Sequence, residues 1–124
     1  MAGPSDRALL DRLFGAIDSR STDEFLACIA PEASFRFGSA PEVEGHDGIR
    51  TAVEGFFRSI AALSHRVDRA IADGETLVCE GEVTYTRRDG SEVTLPFANI
   101  LDLADGLISR YRIYIDIAPL YGPS

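Results

Sequence analysis

The sequence predicts an α+β protein in which one curved antiparallel sheet wraps around three helices. Apolar residues recur every three or four positions as far as about residue 63, and at every second position after it. The turn sequences "DG", "RDG" and "ADG" separate four strand-like runs in the second half. Three helices have a single sheet to cover, so we expect that sheet to curve around them. With 124 residues, 45% of them hydrophobic, the chain predicts one domain over residues 1–124, with a core large enough for one ligand pocket.

Two amphipathic helices are predicted before the first strand. Ser5 is the expected N-cap of helix one, and an apolar stripe runs from Leu9 to Ile17 at helical spacing. Helix two lies in "STDEFLACIA", where Ser21 is followed three residues later by a glutamate, the spacing of a capping box. We expect this second helix to continue until Pro31 stops it.

A strand, a third helix and four further strands follow. "ASFRFG" alternates apolar and polar residues, which indicates a strand with one apolar face. From Asp47 to about Leu63 the apolar spacing is again helical. The last four runs are typical of an antiparallel meander: "HRVDRAIA", "TLVCEGEVTYT", "EVTLPFANILDL" and "LISRYRIYIDI".

The turn at residues 88–90 predicts which side chains face inward. A three-residue turn with a left-handed glycine at its end pairs Tyr85 with Val93 and continues with apolar residues opposite apolar residues. A two-residue turn would place Glu82 opposite Phe97 and bury a carboxylate. We therefore expect the three-residue turn.

The same alternation divides the last strand between two faces. Tyr111 and Ile113 point inward, whereas Arg110, Arg112 and Asp116 point outward. The outer face also holds a partly apolar strip, which indicates a homodimer across that face. The residues of this strip are Pro96, Ala98, Ile100 and Tyr114.

The inward-facing residues are expected to line an apolar pocket for a small molecule. They are Phe35, Phe37, Phe56, Tyr85, Phe97, Asn99, Tyr111 and Ile113. The polar ends of the tyrosines and of Asn99 need hydrogen-bond partners, either one another or a ligand. His65 begins an inward series with Val67 and Ile71, and an imidazole there suits proton transfer. Arg69 falls in the same series, where it marks a bulge, reaches the rim or neutralises an acidic ligand group.

Charge and motif content argue against several classes of function. A net charge of −8 disfavours contact with nucleic acid phosphates. Apolar runs are too short for a membrane span, and the N-terminus lacks the pattern of a signal peptide, so we expect a cytoplasmic protein. The two cysteines, Cys28 and Cys79, are isolated and read as buried thiols. Metal-ligand and nucleotide-binding motifs are missing from the sequence, so we expect no metal and no cofactor.

Four motifs resemble those of a known superfamily. "GHDGI", "RRDGSEVTLPFAN", "ADGLI" and "RIYID", in this order, are similar to the nuclear transport factor 2-like superfamily and its SnoaL-like polyketide cyclase and ketosteroid isomerase-like branch, over roughly residues 6 to 119. The resemblance implies a cystatin-like, cone-shaped α+β barrel with an apolar pocket. It does not imply one activity, since a shared fold hosts many functions.

Two of the activities found in this superfamily are not expected for this chain. Ketosteroid isomerases use an Asp as the base, and a Tyr and a second, protonated Asp that stabilise the enolate. These three positions correspond here to Phe37, Leu13 and Asn99, so the base and the Tyr are absent. The limonene epoxide hydrolase-like enzymes use an Asp–Arg–Asp network, assisted by a Tyr and an Asn of the first strand. The closing-strand acid of that network corresponds to Ile113, and the Tyr and Asn correspond to Phe35 and Phe37, so the network is not expected here.

The SnoaL-like cyclases leave two candidate catalytic residues. Asp116 matches the position of their proposed acid, and His65 matches a pocket histidine, although Asp116 reaches the pocket only if a β-bulge reverses the alternation in "RIYIDI". The expected function is proton transfer on an apolar cyclic substrate by an isomerase, cyclase or dehydratase. A non-catalytic binding or accessory module with the same pocket is the alternative.

Overall fold

A computed structural model describes residues 2–122 and contains four helices and six strands in that range. The curved sheet has the strand order β2-β1-β6-β5-β4-β3 and does not close. Among residues 2–122, no helix is both long and apolar enough to cross a membrane. In chain order the elements are α1 Pro4–Asp18, α2 Thr22–Leu26, β1 Ile29–Phe37, β2 Val43–Glu44, α3 Gly45–Arg58, β3 Ala62–Asp73, β4 Thr76–Thr86, β5 Glu92–Ala104, β6 Leu107–Tyr114 and α4 Ala118–Tyr121.

The predicted α+β class is confirmed, but the sheet is mixed and not purely antiparallel. β1 lies parallel to β6, with Phe35 opposite Tyr111 and Phe37 opposite Ile113. The reason is topological. The meander of β3 to β6 brings its last strand back beside β1 in the same direction, and no local pattern in either strand encodes that pairing.

The boundaries of the first two helices differ from the prediction. α1 is capped by Gly3, whose backbone N–H donates to the carboxylate of Asp6 at 3.1 Å, so Ser5 lies inside the helix. The Ser21 cap is confirmed, since its hydroxyl accepts from the Glu24 N–H at 3.3 Å. α2 stops well before Pro31, however, because the following residues already form β1 beside β6.

The last segment of the chain adds a helix that the sequence did not predict. β6 ends at Tyr114, and α4 then packs back with Leu120 buried. Arg87 holds α4 in place, since its guanidinium donates to the Leu120 and Pro119 carbonyls at 3.0 and 2.9 Å. α3 likewise ends at Arg58, five residues earlier than its apolar spacing indicated.

The predicted hairpin register between β4 and β5 is confirmed. Tyr85 lies opposite Val93 and Cys79 opposite Asn99. Gly90 has a φ of +91°, a conformation that costs little only for glycine. The inward face of both strands therefore carries the residues that the turn predicted.

A β-bulge in β3 reverses the alternation of side chains half-way along the strand. Val67 lies opposite Gly81 and Arg69 opposite Glu80, so Asp68 is the extra residue. The expectation that Arg69 and Ile71 face inward is therefore wrong. Arg69 forms an ion pair with Glu80 at 3.0 Å on the outer face, and Ile71 is 42% exposed. Of the three interpretations left open for Arg69, the bulge is the one that the structure contains.

The hydrophobic core lies between the concave face of the sheet and the helices. Leu13 of α1 and Ile49 of α3 are fully buried, as are Leu101 and Ile108 of the sheet. Cys28 and Cys79 are free thiols buried in this core, which confirms their interpretation as packed side chains.

Candidate functional site

A cavity of about 170 Å³ opens between the concave face of the sheet and α3. Its mouth is marked by exposed lining residues, Ala40 and Pro41 of the loop after β1 and Ala52 of α3. Most of the wall is apolar, and all eight predicted pocket residues lie on it together with His65. These are Phe35, Phe37, Phe56, His65, Tyr85, Phe97, Asn99, Tyr111 and Ile113.

His65 is held in one orientation by Asp18, the last residue of α1. Its ring Nδ1 lies 2.6 Å from Asp18 Oδ1, and its backbone N–H donates to Oδ2 at 2.9 Å. The imidazole packs between Phe14 and Phe97, with ring centroids 4.7 and 5.3 Å away. Because Nδ1 is committed to the carboxylate, Nε2 is the nitrogen left for a ligand. The side chain of His65 is only 10% exposed and is largely shielded from water, whereas that of Asp18 is 28% exposed.

Three further polar groups lie on the cavity wall. Asn99 is 2% exposed, and its Oδ1 accepts no hydrogen bond from any residue in the range 2–122. Burial raises the pKa of the Tyr85 and Tyr111 hydroxyls well above the ordinary value, so both stay protonated near neutral pH. The wall can therefore accept a hydrogen bond at Asn99 and donate two from the tyrosines.

The structure does not bring Asp116 to the cavity. β6 carries no bulge between Arg112 and its end at Tyr114, and Asp116 follows in the exposed turn before α4. Its carboxylate accepts a hydrogen bond from the N–H of Ala118, two residues further on, at 3.0 Å, as an aspartate in an Asx turn does. The alternation of the strand therefore persists, and the predicted pairing of Asp116 with His65 is wrong.

Residues 10–111 match the family model of the SnoaL-like domain, over most of the chain. The chain belongs to the SnoaL-like family. The resemblance recognised in the four motifs is thereby confirmed. No curated protein matches the SnoaL-like chain in sequence.

Solved structures share the fold of this SnoaL-like chain at low sequence identity. An NTF2-like protein of unknown function from Burkholderia pseudomallei K96243 is 20% identical with a TM-score of 0.85, covering 95% of each chain. TerC, co-crystallised with polyporic acid, is 17% identical with a TM-score of 0.82, covering 96% of each chain. An LEH-like epoxide hydrolase from M. tuberculosis is 15% identical with a TM-score of 0.76, covering 92% of this chain and 84% of the other. These identities show the fold and no particular activity.

Asp18 is the residue of the SnoaL-like site that sequence reasoning missed. A signal for it was present, because Asp18 follows Phe14 by four residues and therefore lies on the same side of α1 as that buried ring. A carboxylate at the end of a buried stripe needs a partner. The partner is 47 residues away in the chain, so no local pattern could identify it as His65.

The described part of the SnoaL-like chain holds no cluster of three or more His, Cys, Asp or Glu side chains that a metal ion would need. The polar groups that line the cavity are the imidazole of His65, the hydroxyls of Tyr85 and Tyr111, and the amide of Asn99.

Proposed function

We propose that this chain binds an apolar, ring-containing small molecule in the cavity and transfers a proton on it through His65. The observation that carries the proposal is the pair formed by Asp18 and His65 at an otherwise apolar wall. A base that is oriented and shielded from water is the arrangement that general acid–base catalysis requires.

The proposed step begins with neutral His65, whose Nδ1–H donates to Asp18. Nε2 then removes a proton from a carbon next to a carbonyl group, leaving an enolate on the substrate and an imidazolium on the protein. The carboxylate of Asp18 stabilises that imidazolium. Return of the proton to another carbon gives isomerisation, its transfer to a departing hydroxyl gives dehydration, and attack of the enolate on a second carbonyl closes a ring.

The other polar groups of the wall fit the oxygen atoms of such a substrate. The hydroxyls of Tyr85 and Tyr111 are donors for a developing enolate oxygen. Oδ1 of Asn99 has no donor among the described residues and accepts from a substrate hydroxyl. We therefore propose these three as positioning residues.

The size and lining of the cavity support a ring as the bound group. A dry protein cavity of about 150 Å³ holds a benzene molecule, and this cavity measures about 170 Å³. One ring fits within it, and further substituents extend through the mouth. The structural neighbour TerC, which was co-crystallised with polyporic acid, supports a small organic molecule as the ligand.

Deuterium exchange tests proton transfer without knowledge of the natural substrate. 2-Cyclohexenone, a single-ring ketone, is incubated with the protein in D₂O, and loss of the proton signals next to the carbonyl is followed by NMR. We expect catalysed exchange. His65→Gln should slow it by about 10²- to 10⁴-fold, the usual contribution of a general base, and Asp18→Asn should slow it in the same direction.

Asp116→Asn is the matched control, since it removes an exposed carboxylate that lies away from the cavity. This variant should catalyse deuterium exchange of 2-cyclohexenone at the wild-type rate. Exchange lost in Asp116→Asn and kept in His65→Gln would overturn the assignment of His65.

A non-catalytic binding module is the second candidate. It is favoured by the lining itself, since among the described residues no carboxylate reaches the cavity surface directly. Native mass spectrometry of the protein as isolated would reveal a co-purified ligand. Retention of that ligand by His65→Gln, with no deuterium exchange in the wild type, would establish binding without catalysis.

We also propose that two copies of the chain pair through the outer face of the sheet. The register places Ile71, Val78 and Ile100 side by side on this face. The bulge in β3 has thus added Ile71 to the predicted strip, and Tyr114 at its other end is 53% exposed. A strip of this kind is what a dimer interface covers.

Sedimentation velocity tests the dimer. We expect Ile100→Arg to shift the protein to a monomer, because it places a charge within the covered strip. Ala8→Arg, on the exposed side of α1, is the control and should sediment as the wild type does. A wild-type monomer at all concentrations would contradict the proposal. The cytoplasmic location expected from the sequence stays a prediction.

A further inference from the structure

A second recess lies on the outer side of the sheet where β1 and β6 end, and it shares Ile113 and Ile115 with the wall of the apolar cavity. It has a volume of about 330 Å³ and a more polar wall. We call it the outer recess, and its residues are Arg36, Gly38, Ser39, Arg112, Ile113, Tyr114 and Ile115.

Two arginines line the outer recess. Arg36 and Arg112 are direct neighbours across the parallel strands β1 and β6. Like charges at directly opposed positions of a sheet repel each other. An anion between or beside the two arginines would therefore reduce their repulsion.

The protein supplies only part of that negative charge. Glu42 accepts from Arg112 Nη2 at 3.3 Å, whereas Arg36 forms no ion pair with any residue between 2 and 122. Nε of Arg112 is buried and has no acceptor among the same residues. Of the two arginines of the recess, one thus forms no ion pair, and the other pairs with Glu42 while its buried Nε–H donates to none of the described residues.

We infer that the outer recess binds the oxyanion group of a small molecule, a carboxylate or a phosphate. A guanidinium presents parallel N–H donors that match two oxygens of such a group, and a second guanidinium doubles this match. The hydroxyl of Ser39 lines the same recess and is a further donor. This site does not depend on the proton-transfer proposal, since neither arginine lines the apolar cavity. It borders the strip proposed for the dimer at Tyr114, so binding is measured at protein concentrations at which the wild type sediments as a monomer.

The buried Nε–H of Arg112 offers a direct NMR readout. Inorganic phosphate, and acetate in a second series, are titrated into ¹⁵N-labelled protein with chloride keeping the ionic strength constant, because exposed charges are screened by salt. We expect saturable shifts of the Nε–Hε signals of Arg36 and Arg112. Arg36→Gln should weaken binding about tenfold, as expected for the loss of one charge-assisted contact.

Two further variants make the inference specific. Glu42→Gln removes the carboxylate that competes for Arg112, so it should tighten phosphate binding. Arg69→Gln removes an arginine from the same face of the sheet, outside the recess, and should leave the affinity unchanged. Arg36, exposed on the surface, provides a test that does not require the more buried Arg112 to be altered.

Three results would overturn the inference. The first is a set of non-saturable shifts of equal size at all arginines, as general ionic binding produces. The second is weaker phosphate binding in Glu42→Gln. The third is a wild type that binds no phosphate together with an Arg36→Gln variant whose oligomeric state, measured by sedimentation, differs from that of the wild type. The two arginines would then bind an acidic group of a second copy of the chain.

Discussion

Replacement of Gly81 by alanine should be among the most destabilising single changes in the protein. Gly81 lies opposite the bulge in β3, and a Cβ built there would overlap the carbonyl oxygen of Arg66 and lie 2.8 Å from its carbonyl carbon. It would also lie 3.0 Å from Cα of Val67. All these atoms are backbone, so a change of rotamer cannot relieve the clash. An ordinary contact with the carbonyl carbon alone would require the two strands to separate by about 0.6 Å, and the overlapping carbonyl oxygen requires a larger separation.

The size of the loss follows from this geometry. Overpacking that side chains can absorb costs about 1–3 kcal/mol, so a clash with two backbone groups should cost at least about 3 kcal/mol. At roughly 4 °C per kcal/mol for a domain of this length, the melting temperature should fall by about 12 °C or more. Urea unfolding and differential scanning calorimetry would measure both quantities.

Two companion variants test the cause. Deletion of Asp68 removes the extra residue of the bulge while Arg69 keeps its place opposite Glu80, so it should restore at least about 2 kcal/mol in the Gly81→Ala background. Gly15→Ala is the matched control, because the added Cβ lies in α1 and, apart from the neighbouring residues and backbone of that helix, meets no atom of residues 2–122 within 4 Å. It should stabilise by about 0.5–1 kcal/mol. A melting temperature for Gly81→Ala within 3 °C (roughly 1 kcal/mol) of wild type would refute the reasoning.

Three other predictions concern the core, the C-terminal helix and alkaline pH. Leu13→Ala should cost about 2–5 kcal/mol in urea unfolding, because Leu13 is fully buried; a loss below 1 kcal/mol (roughly a surface-site effect) would contradict its place in the core. Arg87→Ala should speed amide hydrogen exchange in α4 by freeing the carbonyls of Leu120 and Pro119, and unchanged protection there would show that the guanidinium does not hold the helix. Burial raises the pKa of the Cys79 thiol to about 11 from an ordinary value of 9.0. As the pH rises, the unfolded chain therefore releases this proton before the folded chain does. The contribution of the thiol to the free energy of unfolding is complete below pH 9, and up to about 3 kcal/mol of it is lost between pH 9 and about 11. The chain contains no lysine, but Tyr85 and Tyr111, whose pKa burial also raises, contribute to the alkaline loss above their ordinary value of 10.0. Cys79→Ala should therefore reduce the alkaline slope of the urea midpoint without abolishing it, and an equal slope in both proteins would count against Cys79.

Local patterns were sufficient for eight of the ten elements, all except β2 and α4, and for one strand register. The turn at residues 88–90 determined the pairing of β4 with β5, because a glycine with positive φ and two alternating strands leave one register that buries no carboxylate. The pairing of β1 with β6 and the small strand β2 depend on contacts between distant residues. The only sign of the bulge at Asp68 in the sequence was Arg69, a charged residue in a series of side chains predicted to face inward.

The candidate site divides in the same way. Alternation along β4, β5 and β6 correctly placed the aromatic and amide side chains at the cavity, because those strands keep their period of two there. Asp18 was missed, since its partner His65 lies on a different element. Asp116 was misplaced because similarity of position in a motif does not determine where a side chain points once the strand has ended.

The bulge at Asp68 also determines how β3 should be approached in protein engineering. Before it, the odd-numbered positions Leu63, His65 and Val67 face the helices, and after it the even-numbered positions Ala70 and Ala72 do so. A codon library meant to reshape the interior must therefore change from odd to even numbers at residue 68. A library that kept the odd positions throughout would randomise the exterior in its second half, and selections for ligand preference and for self-association would then be confounded within a single strand.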